Sequence, residues 1–236
     1  MIKNSNKKLL AALALGLSTS CSLQNSKSHF KEGADISHHQ GDIKWGELTP
    51  ENSGKTFIIA KATEGKTWQD PRFLDNFRNI CANGFQAGAY HRLRFGTGST
   101  PEEQADNLFN QLRLADNEWA TKKPIISLNT IFVPTDRDDY TVVSEYVEKC
   151  VIHIKDNYNV TPYIYTRQNF WNDHVKETPE IVKECPLWIA RWRDQEPSPA
   201  ELSNGWNEWT IWHHSNQGSV PGITGNVDLD KMKVCS

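Results

Sequence analysis

The 236-residue chain lacks several features that would assign it to a common class of protein. It has no internal repeat and no low-complexity block, and no excess of basic residues, since 26 Lys and Arg stand against 29 Asp and Glu. The net charge of −3 gives no support for nucleic-acid binding. The chain is long enough for one domain with a large core and falls within the usual length of an α/β barrel.

The first twenty residues differ from the rest of the chain, and residues 1–20 predict a secretory signal peptide. Three lysines at 3–8 precede the apolar run 9–17, which is too short for a membrane span of about 20 residues. Cys21 follows directly and resembles the cysteine of a bacterial lipobox. We therefore expect acylation of Cys21 and a tether at 21–32. Ordinary signal cleavage, with Cys21 as an incidental thiol, is the alternative.

Four further cysteines are widely spaced along the chain. In an exported protein an even number of cysteines predicts two disulfides, and three connectivities remain open. The sequence has no close Cys-x-x-Cys pair, so it does not predict a structural zinc site. Buried free thiols are the alternative interpretation for some of the four. The cysteines are Cys81, Cys150, Cys185 and Cys235.

Short β-rich runs alternate with helical stretches, which predicts a parallel sheet. Eight strands with fewer helices late in the chain predict a single α/β domain over 33–236, an irregular TIM-like (β/α) barrel. The site of such a barrel lies at the C-terminal ends of its strands. The expected strands are 34–37, 56–62, 86–93, 123–129, 161–166, 187–192, 210–215 and 226–228, and the expected helices are 71–82, 101–114 and 139–157.

Five short motifs occur in a fixed order along the chain. They are ADISHHQG at 34–41, FIIAKATEG at 57–65, GAYH at 88–91, KPIISLN at 123–129 and VPGITGNVDL at 220–229. In this order and at these distances they resemble the lysozymes of glycoside hydrolase family 25, which cut the sugar backbone of peptidoglycan. The resemblance covers about residues 33–232, and it implies peptidoglycan as the ligand and no cofactor.

One motif departs from the family where the chemistry is expected. The family's fourth-strand motif is Asp-x-Glu, in which the Glu is taken to be the general acid and the Asp assists the substrate's N-acetyl group. The same place here reads Ser127-Leu128-Asn129. An amide or a hydroxyl cannot replace a carboxylic acid, and loss of general acid catalysis alone costs about 10²–10⁴ in rate. The resemblance therefore implies degenerate catalytic positions at Ser127 and Asn129, and we expect a catalytically impaired or inactive protein, that is, a pseudoenzyme.

Three carboxylates remain near the expected mouth of the barrel. Asp35 and Asp228 match family positions, where the first would position sugar or water and the second would hold a polar network. Both are equally compatible with buried structural residues that accept backbone hydrogen bonds. Glu64 is a candidate for a displaced acid, although a hydrogen-bonded scaffold role is more common. The acids that follow the replaced pair most closely predict a solvated loop, and they are Asp136, Asp138 and Asp139.

Aromatic residues are dense in the strands that would line the groove, and sugars stack on such ring faces. Strand alternation should turn about half of these rings into the core. Arg92 and the run WHHS at 212–215 differ from typical relatives, which implies a groove that is re-lined or binds a different ligand. The candidate substrate-binding residues are Tyr90, His91, Tyr165, Trp192, Trp212 and His214.

Two histidine pairs, 38–39 and 213–214, together with Asp35 and Asp228 raise a metal site as a rival interpretation. Adjacent residues on a strand point to opposite faces, so each pair offers at most one easy ligand. Because the sequence has no ligand-spacing signature, it predicts no metal.

Three functions fit these observations. The first is a glycan-binding protein on peptidoglycan strands, exported to the periplasm or cell surface and held to a membrane through Cys21. The second is an active N-acetylmuramidase with relocated carboxylates, namely Glu64, Asp35 or Asp228. The third is contact with a protein partner in a cell-envelope assembly. The retained aromatic residues favour the first function over the third.

Overall fold

The computed structural model describes residues 30–131 and 140–234. Several predictions fall outside these residues: the signal peptide at 1–20, acylation of Cys21, most of the tether at 21–32, and any pairing of Cys235. The loop acids Asp136, Asp138 and Asp139 also lie outside them. Among the described helices, none has both the length and the apolarity required to cross a membrane.

The described residues contain nine β-strands in one sheet. They are β1 (Phe30–Ile36), β2 (Phe57–Glu64), β3 (Trp68–Gln69), β4 (Gln86–Arg92), β5 (Ile125–Asn129), β6 (Tyr163–Thr166), β7 (Leu187–Ala190), β8 (Ile211–Gly218) and β9 (Val227–Lys233). Eight of them close into a barrel in the order β1-β2-β4-β5-β6-β7-β8-β9, because β9 also pairs with β1. The short strand β3 pairs only with the end of β2. The predicted α/β barrel of eight strands is confirmed.

The direction of the last strand corrects the prediction of a parallel sheet. β9 runs antiparallel to both β8 and β1, whereas the other neighbours in the barrel are parallel. Residues 219–226 connect β8 to β9, and this is too short for the crossover that a parallel pair requires. The start of β9 therefore lies at the same end of the barrel as the C-terminal ends of the parallel strands.

The described helices are α1 (Pro50–Ser53), α2 (Phe73–Ala82), α3 (Pro101–Ala115), α4 (Tyr140–Tyr158), α5 (Gln168–His174) and α6 (Glu180–Lys183). The three predicted helices correspond to α2, α3 and α4. α3 begins at a capping box, in which the Thr100 hydroxyl accepts from the Glu103 N–H and the Glu103 carboxylate accepts from the Thr100 N–H. The sequence predicts no helix after residue 157, whereas the structure has two short helices after β6, namely α5 and α6.

The barrel wall has two faces with different packing. Its outer face belongs to the main core, which includes the buried sides of α2, α3 and α4. Its interior is filled by a smaller apolar cluster made of Phe57, Ile59, Ile125, Trp188, Ile211 and Met232. A Cβ placed on Gly33 would lie 2.2 Å from the Phe57 ring, so glycine is required where β1 crosses this floor. The interior is therefore open only above the floor.

The cysteines correct another prediction. Cys81, Cys150 and Cys185 are free thiols in the structure, so the prediction of two disulfides is wrong for these three residues. Cys150 and Cys185 are buried among apolar side chains, where a cysteine acts as a small hydrophobic residue. Burial raises the pKa of the Cys185 thiol to about 12, so this thiol stays protonated and inert at neutral pH.

Candidate active site

Strand register brings the polar residues of the mouth together. Asp35 on β1 lies directly opposite Asp228 on β9, and His213 on β8 lies opposite Asp230. Residues two apart on a strand share a face, so Asp228 and Asp230 both point into the barrel. The resulting cavity has a volume of about 70 Å³ and is lined by Asp35, Tyr90, Asn129, Tyr165, Trp188 and Asp228.

The β1–β9 side of the mouth carries a cluster of acids. Asp35 is 8% exposed and Asp230 is fully buried, while the side chain of Asp228 is partly open to solvent. Asp230 Oδ1 accepts from Trp188 Nε1 at 2.9 Å. Asp35 and Asp230 also form a side-chain hydrogen bond with each other, which requires a proton on one of the two carboxyl groups. Buried carboxyl groups that share a proton are typical of functional sites.

Burial and neighbouring charges shift the pKa values of several groups in this cluster. Burial, followed by the neighbouring charges of Asp230 and Asp228, raises the pKa of Asp35 well above its usual range. Burial alone would lower the pKa of His213, but the carboxylates of Asp228 and Asp35 outweigh it and the pKa is raised. Burial also raises the pKa of Asp230 to about 8, so the cluster can hold a protonated carboxyl group at neutral pH.

The opposite side of the mouth, on β5, is neutral. Ser127 and Asn129 point into the barrel, as their spacing predicts. The Ser127 hydroxyl donates to the Tyr163 carbonyl at 3.2 Å, and Asn129 Oδ1 accepts from the Ile131 N–H at 3.0 Å. Each side chain thus makes a hydrogen bond to a backbone group, and β5 presents no carboxylate to the mouth.

Glu64 lies at the end of β2 and is held by two cations. It accepts from Lys61 Nζ at 2.7 Å and forms an ion pair with Arg94. Burial would raise the pKa of Glu64, but these two cations outweigh that effect and lower it. A carboxylate that stays ionised cannot donate a proton at neutral pH, so the structure gives Glu64 a scaffold role rather than that of a displaced acid.

Three of the predicted aromatic residues lie at the mouth. Tyr90 and Tyr165 line the cavity, and the edge of each ring meets Trp188 on the floor. Trp192 lies at the rim with 49% of its surface exposed, and its Nε1 donates to His213 Nε2 at 3.2 Å. The guanidinium of Arg167 lies 4.7 Å from the centre of the Trp192 ring. These rings offer the flat apolar faces on which sugars stack.

His91 does not reach the mouth. It is fully buried on the outer face of β4, because its neighbour Tyr90 takes the inward position. One of its ring nitrogens lies 2.7 Å from the Thr63 hydroxyl and the other lies 3.1 Å from Gln104 Oε1. Burial lowers the pKa of His91 to about 4. The structure thus corrects the predicted substrate-binding role to that of a neutral scaffold residue.

Trp212 and His214 also lie on the outer face of the barrel wall. Trp212 is 1% exposed, donates from Nε1 to the Arg191 carbonyl at 2.7 Å and packs against Trp209. The His214 ring packs on Trp212, with ring centroids 5.4 Å apart. The prediction that Trp212 and His214 line the groove was wrong, because His213, which lies between them on β8, takes the inward position.

Sequence reasoning did not name Asp230, and it considered His213 only as a possible metal ligand and not as a residue of the sugar-binding mouth. Asp230 shares a face with Asp228 by simple alternation, and this signal was available in the sequence. His213 could have been found from its neighbour, because a large apolar residue such as Trp212 favours the packed outer face. Carboxyl groups among aromatic rings, at the C-terminal mouth of an α/β barrel, are typical of carbohydrate-active proteins.

Comparison with known proteins identifies the family. Residues 34–223 match the model of glycosyl hydrolases family 25, so the chain belongs to this peptidoglycan muramidase-like family. Lysozyme M1 of Streptomyces globisporus is 28% identical over 205 residues, which cover 85% of this chain and 67% of that protein. The autolytic lysozyme of Clostridium acetobutylicum is 29% identical over 201 residues, which cover 85% of this chain and 55% of that protein.

A solved structure supports the same assignment. The bacterial lysozyme of Streptomyces coelicolor aligns with a TM-score of 0.74 and 26% identity, over 89% of this chain and 95% of that one. A family 25 lysozyme of Aspergillus fumigatus, with a TM-score of 0.71 and 24% identity, shares the fold. The chain spans between about half and two thirds of the length of the two curated lysozymes above.

Proposed function

We propose that this protein binds the glycan strands of peptidoglycan and has impaired or no muramidase activity. The observation that carries the proposal is the neutral β5 side of the mouth, where Ser127 and Asn129 stand in place of an acid pair. Glycoside hydrolysis usually uses two carboxyl groups that flank the scissile bond. Asp35 and Asp228 lie on one side of the mouth, on paired strands, and so do not flank a sugar bound across it.

Binding would use the aromatic and polar groups that remain. The half-exposed Trp192 offers a stacking face at the rim, and Tyr90 and Tyr165 offer ring edges and hydroxyls deeper in the mouth. Asp228 and Asn129 supply acceptors and donors for sugar hydroxyls. These groups need no general acid, so retained binding is compatible with lost hydrolysis.

Export and membrane attachment are part of the proposal. We expect residues 1–20 to be removed and Cys21 to be acylated, which would hold the domain in the periplasm or at the cell surface close to peptidoglycan. A Cys21→Ser variant expressed in bacteria should lose both metabolic palmitate labelling and sedimentation with membranes. Labelling that persists in this variant would contradict the proposed anchor.

Weak hydrolysis is a second candidate function, favoured by one observation. The pKa of Asp35 is raised well above its usual range, and Asp35 lies directly opposite Asp228 on the neighbouring strand. Such a pair has the elements of an acid and a base, although both lie on the β1–β9 side. Under this alternative an Asp35→Asn variant would lose whatever muropeptide release the unmodified protein shows.

The test uses the purified mature protein and insoluble peptidoglycan. We expect the protein to sediment with peptidoglycan and to release no muropeptides detectable by mass spectrometry. Release that is abolished by Asp35→Asn would support the second candidate and contradict the first. A protein that neither sediments nor releases muropeptides would contradict glycan binding and indicate a cell-envelope protein partner at the mouth.

A further inference from the structure

A second cavity lies beside the mouth, at the C-terminal ends of β6 and β7. It has a volume of about 270 Å³, which exceeds that of several water molecules. The residues that line it are Arg167, Gln168, Asn169, Arg191 and Glu201, with residues 189–190 at the end of β7. The same two strands supply Tyr165 and Trp188 to the mouth, so the cavity and the mouth are neighbours.

Positive charge exceeds negative charge around this cavity. Arg191 Nη2 lies 2.5 Å from Glu201 Oε1, and Arg193 Nη2 lies 2.5 Å from the other oxygen, Oε2. Because both arginines bind the same carboxylate, one positive charge of this group is left over. The guanidinium of Arg167 adds a second, since it also lines the cavity. The cavity therefore attracts an anion.

The guanidinium of Arg167 has no carboxylate partner in the described part of the chain. Its contact is with the ring of Trp192, whose centre lies 4.7 Å away. Such a contact uses the flat face of the guanidinium, whereas the N–H groups lie in its plane and remain free to donate. Arg167 is therefore half-buried and held by a ring, and it can still donate two parallel hydrogen bonds to a carboxylate.

Trp192 joins this cavity to the rim of the mouth. Its Nε1 donates to His213 Nε2 in the mouth, while its half-exposed ring contacts Arg167. A sugar that stacks on this ring would carry its substituents past Arg167. In peptidoglycan, the lactyl group of N-acetylmuramic acid bears a short peptide with free carboxylates. A glycan strand bound at the mouth would therefore bring anions to the cavity.

We propose that the cavity at Arg167 binds a carboxylate of the peptide that is attached to muramic acid. Arg167 supplies the forked donor, and the side-chain nitrogen of Asn169 is a further donor among the lining residues. This site rests on the glycan binding proposed above, and it adds a preference for strands that bear charged peptides. An uncharged peptide would leave the positive charge of the cavity uncompensated, so the discrimination comes from charge.

The experiment compares two ligands that differ in charge. One is a tetrasaccharide of alternating N-acetylglucosamine and N-acetylmuramic acid that carries its peptides, and the other is the same compound with every peptide carboxyl group converted to an amide. We expect calorimetry on the full mature protein to give about tenfold tighter binding of the charged ligand, because the amide loses the charged contact with Arg167. The difference should decrease as salt is added.

A substitution then assigns the charge preference to one residue. Arg167→Gln should bind the two ligands equally, and the readout is the ratio of the two affinities, so that a change in sugar stacking at Trp192 cancels. The matched control is Arg113→Gln. Arg113 lies on α3 with its guanidinium 5.3 Å from the centre of the Tyr158 ring, so this variant loses the same charge and a similar ring contact. The tenfold ratio should remain in the control.

The comparison of ligands on the unmodified protein needs no variant, so it stays decisive if Arg167→Gln fails to fold. Equal affinity for the two ligands would overturn the peptide site and leave glycan binding in place. Equally tight binding of the peptide-free tetrasaccharide, whose lactyl carboxylates are free, would also overturn it, because the anion would then belong to the sugar. So would a tenfold ratio that persists in a folded Arg167→Gln variant. Binding of none of these tetrasaccharides would contradict both the peptide site and glycan binding.

Discussion

Two buried histidines on opposite faces of the barrel wall have opposite environments. His91 faces the outer layer, where both ring nitrogens meet neutral partners and burial lowers its pKa to about 4. His213 faces the mouth, where carboxylates outweigh burial and raise its pKa. The outer face satisfies its polar groups and serves the scaffold. The inner face carries the cluster of carboxyl groups, and the proposed glycan-binding function lies there.

The largest expected effect comes from replacing each of the two histidines in turn, which tests whether the two faces differ. His91→Ala should lower the free energy of unfolding by about 3 kcal/mol, because it leaves a cavity and two buried partners unpaired. His213→Ala should cost about 1 kcal/mol, since water from the mouth can solvate the groups it exposes. Urea unfolding followed by tryptophan fluorescence would measure both. Equal losses would mean that the two faces do not differ as described.

Lowering the pH should test the environment of His91 without a substitution. Because the folded pKa of His91 is about 4 against 6.5 in a model peptide, the unfolded chain binds more protons between these values. The free energy of unfolding is therefore unaffected by His91 above about pH 6.5, and it decreases as the pH drops from there toward 4. From about pH 7 to about pH 4.5 this loss should reach about 2 kcal/mol.

The control for the acid effect is His91→Gln, which keeps a hydrogen-bonding group between Thr63 and Gln104. Urea midpoints of the variant should fall less between the two pH values than those of the unmodified protein. Parallel pH profiles for the two proteins would contradict a buried neutral His91.

Peptidoglycan affinity should depend on Trp192 at the rim of the mouth but not on Trp212 on the outer face of the barrel wall. Trp192→Ala removes the exposed stacking ring at the rim, and we expect peptidoglycan binding to weaken by about tenfold, or about 1.4 kcal/mol. Trp212→Phe alters only the outer core and should leave the affinity unchanged, even if the protein becomes less stable. Sedimentation with increasing amounts of peptidoglycan would measure both. Similar weakening in the two variants would argue against a glycan site at the mouth.

The smallest effect is expected on the neutral side of the mouth. The Ser127 hydroxyl makes one hydrogen bond, to the Tyr163 carbonyl, so Ser127→Ala should cost about 1 kcal/mol or less. We also expect no change in peptidoglycan sedimentation or in muropeptide release. A loss of either activity in a stable Ser127→Ala protein would give this hydroxyl a functional role and contradict the assignment of a degenerate position.

Much of the fold could be predicted from local pattern. The strand and helix runs follow from apolar periodicity and from capping residues such as Thr100, and the placement of Asp35 and Asp228 at strand ends follows from the barrel. The direction of β9 was missed, although the short connection 219–226 already favours an antiparallel pair.

The site was harder to predict because the face of a strand depends on its register. Tyr90 and His91 cannot both point inward, and neither can His213 and His214. Choosing between neighbours requires knowledge of the packing on each side, such as the contact of Trp212 with Trp209. Lys61 and Glu64 are three residues apart on β2, but the ion pair of Glu64 with Arg94 joins two separate segments, and no local pattern in the sequence reveals it.

The central claim, that β5 lacks the acid pair needed for hydrolysis, is tested most directly by restoring carboxylates there. We would compare muropeptide release from peptidoglycan by the unmodified protein and by a Ser127→Asp/Asn129→Glu variant, with Ser127→Asn/Asn129→Gln as a matched uncharged control. We predict no release by the unmodified protein and the control, and a rise of about 10²-fold or more over background for the carboxylate variant. Release by the unmodified protein at a rate equal to that of the carboxylate variant would contradict the claim.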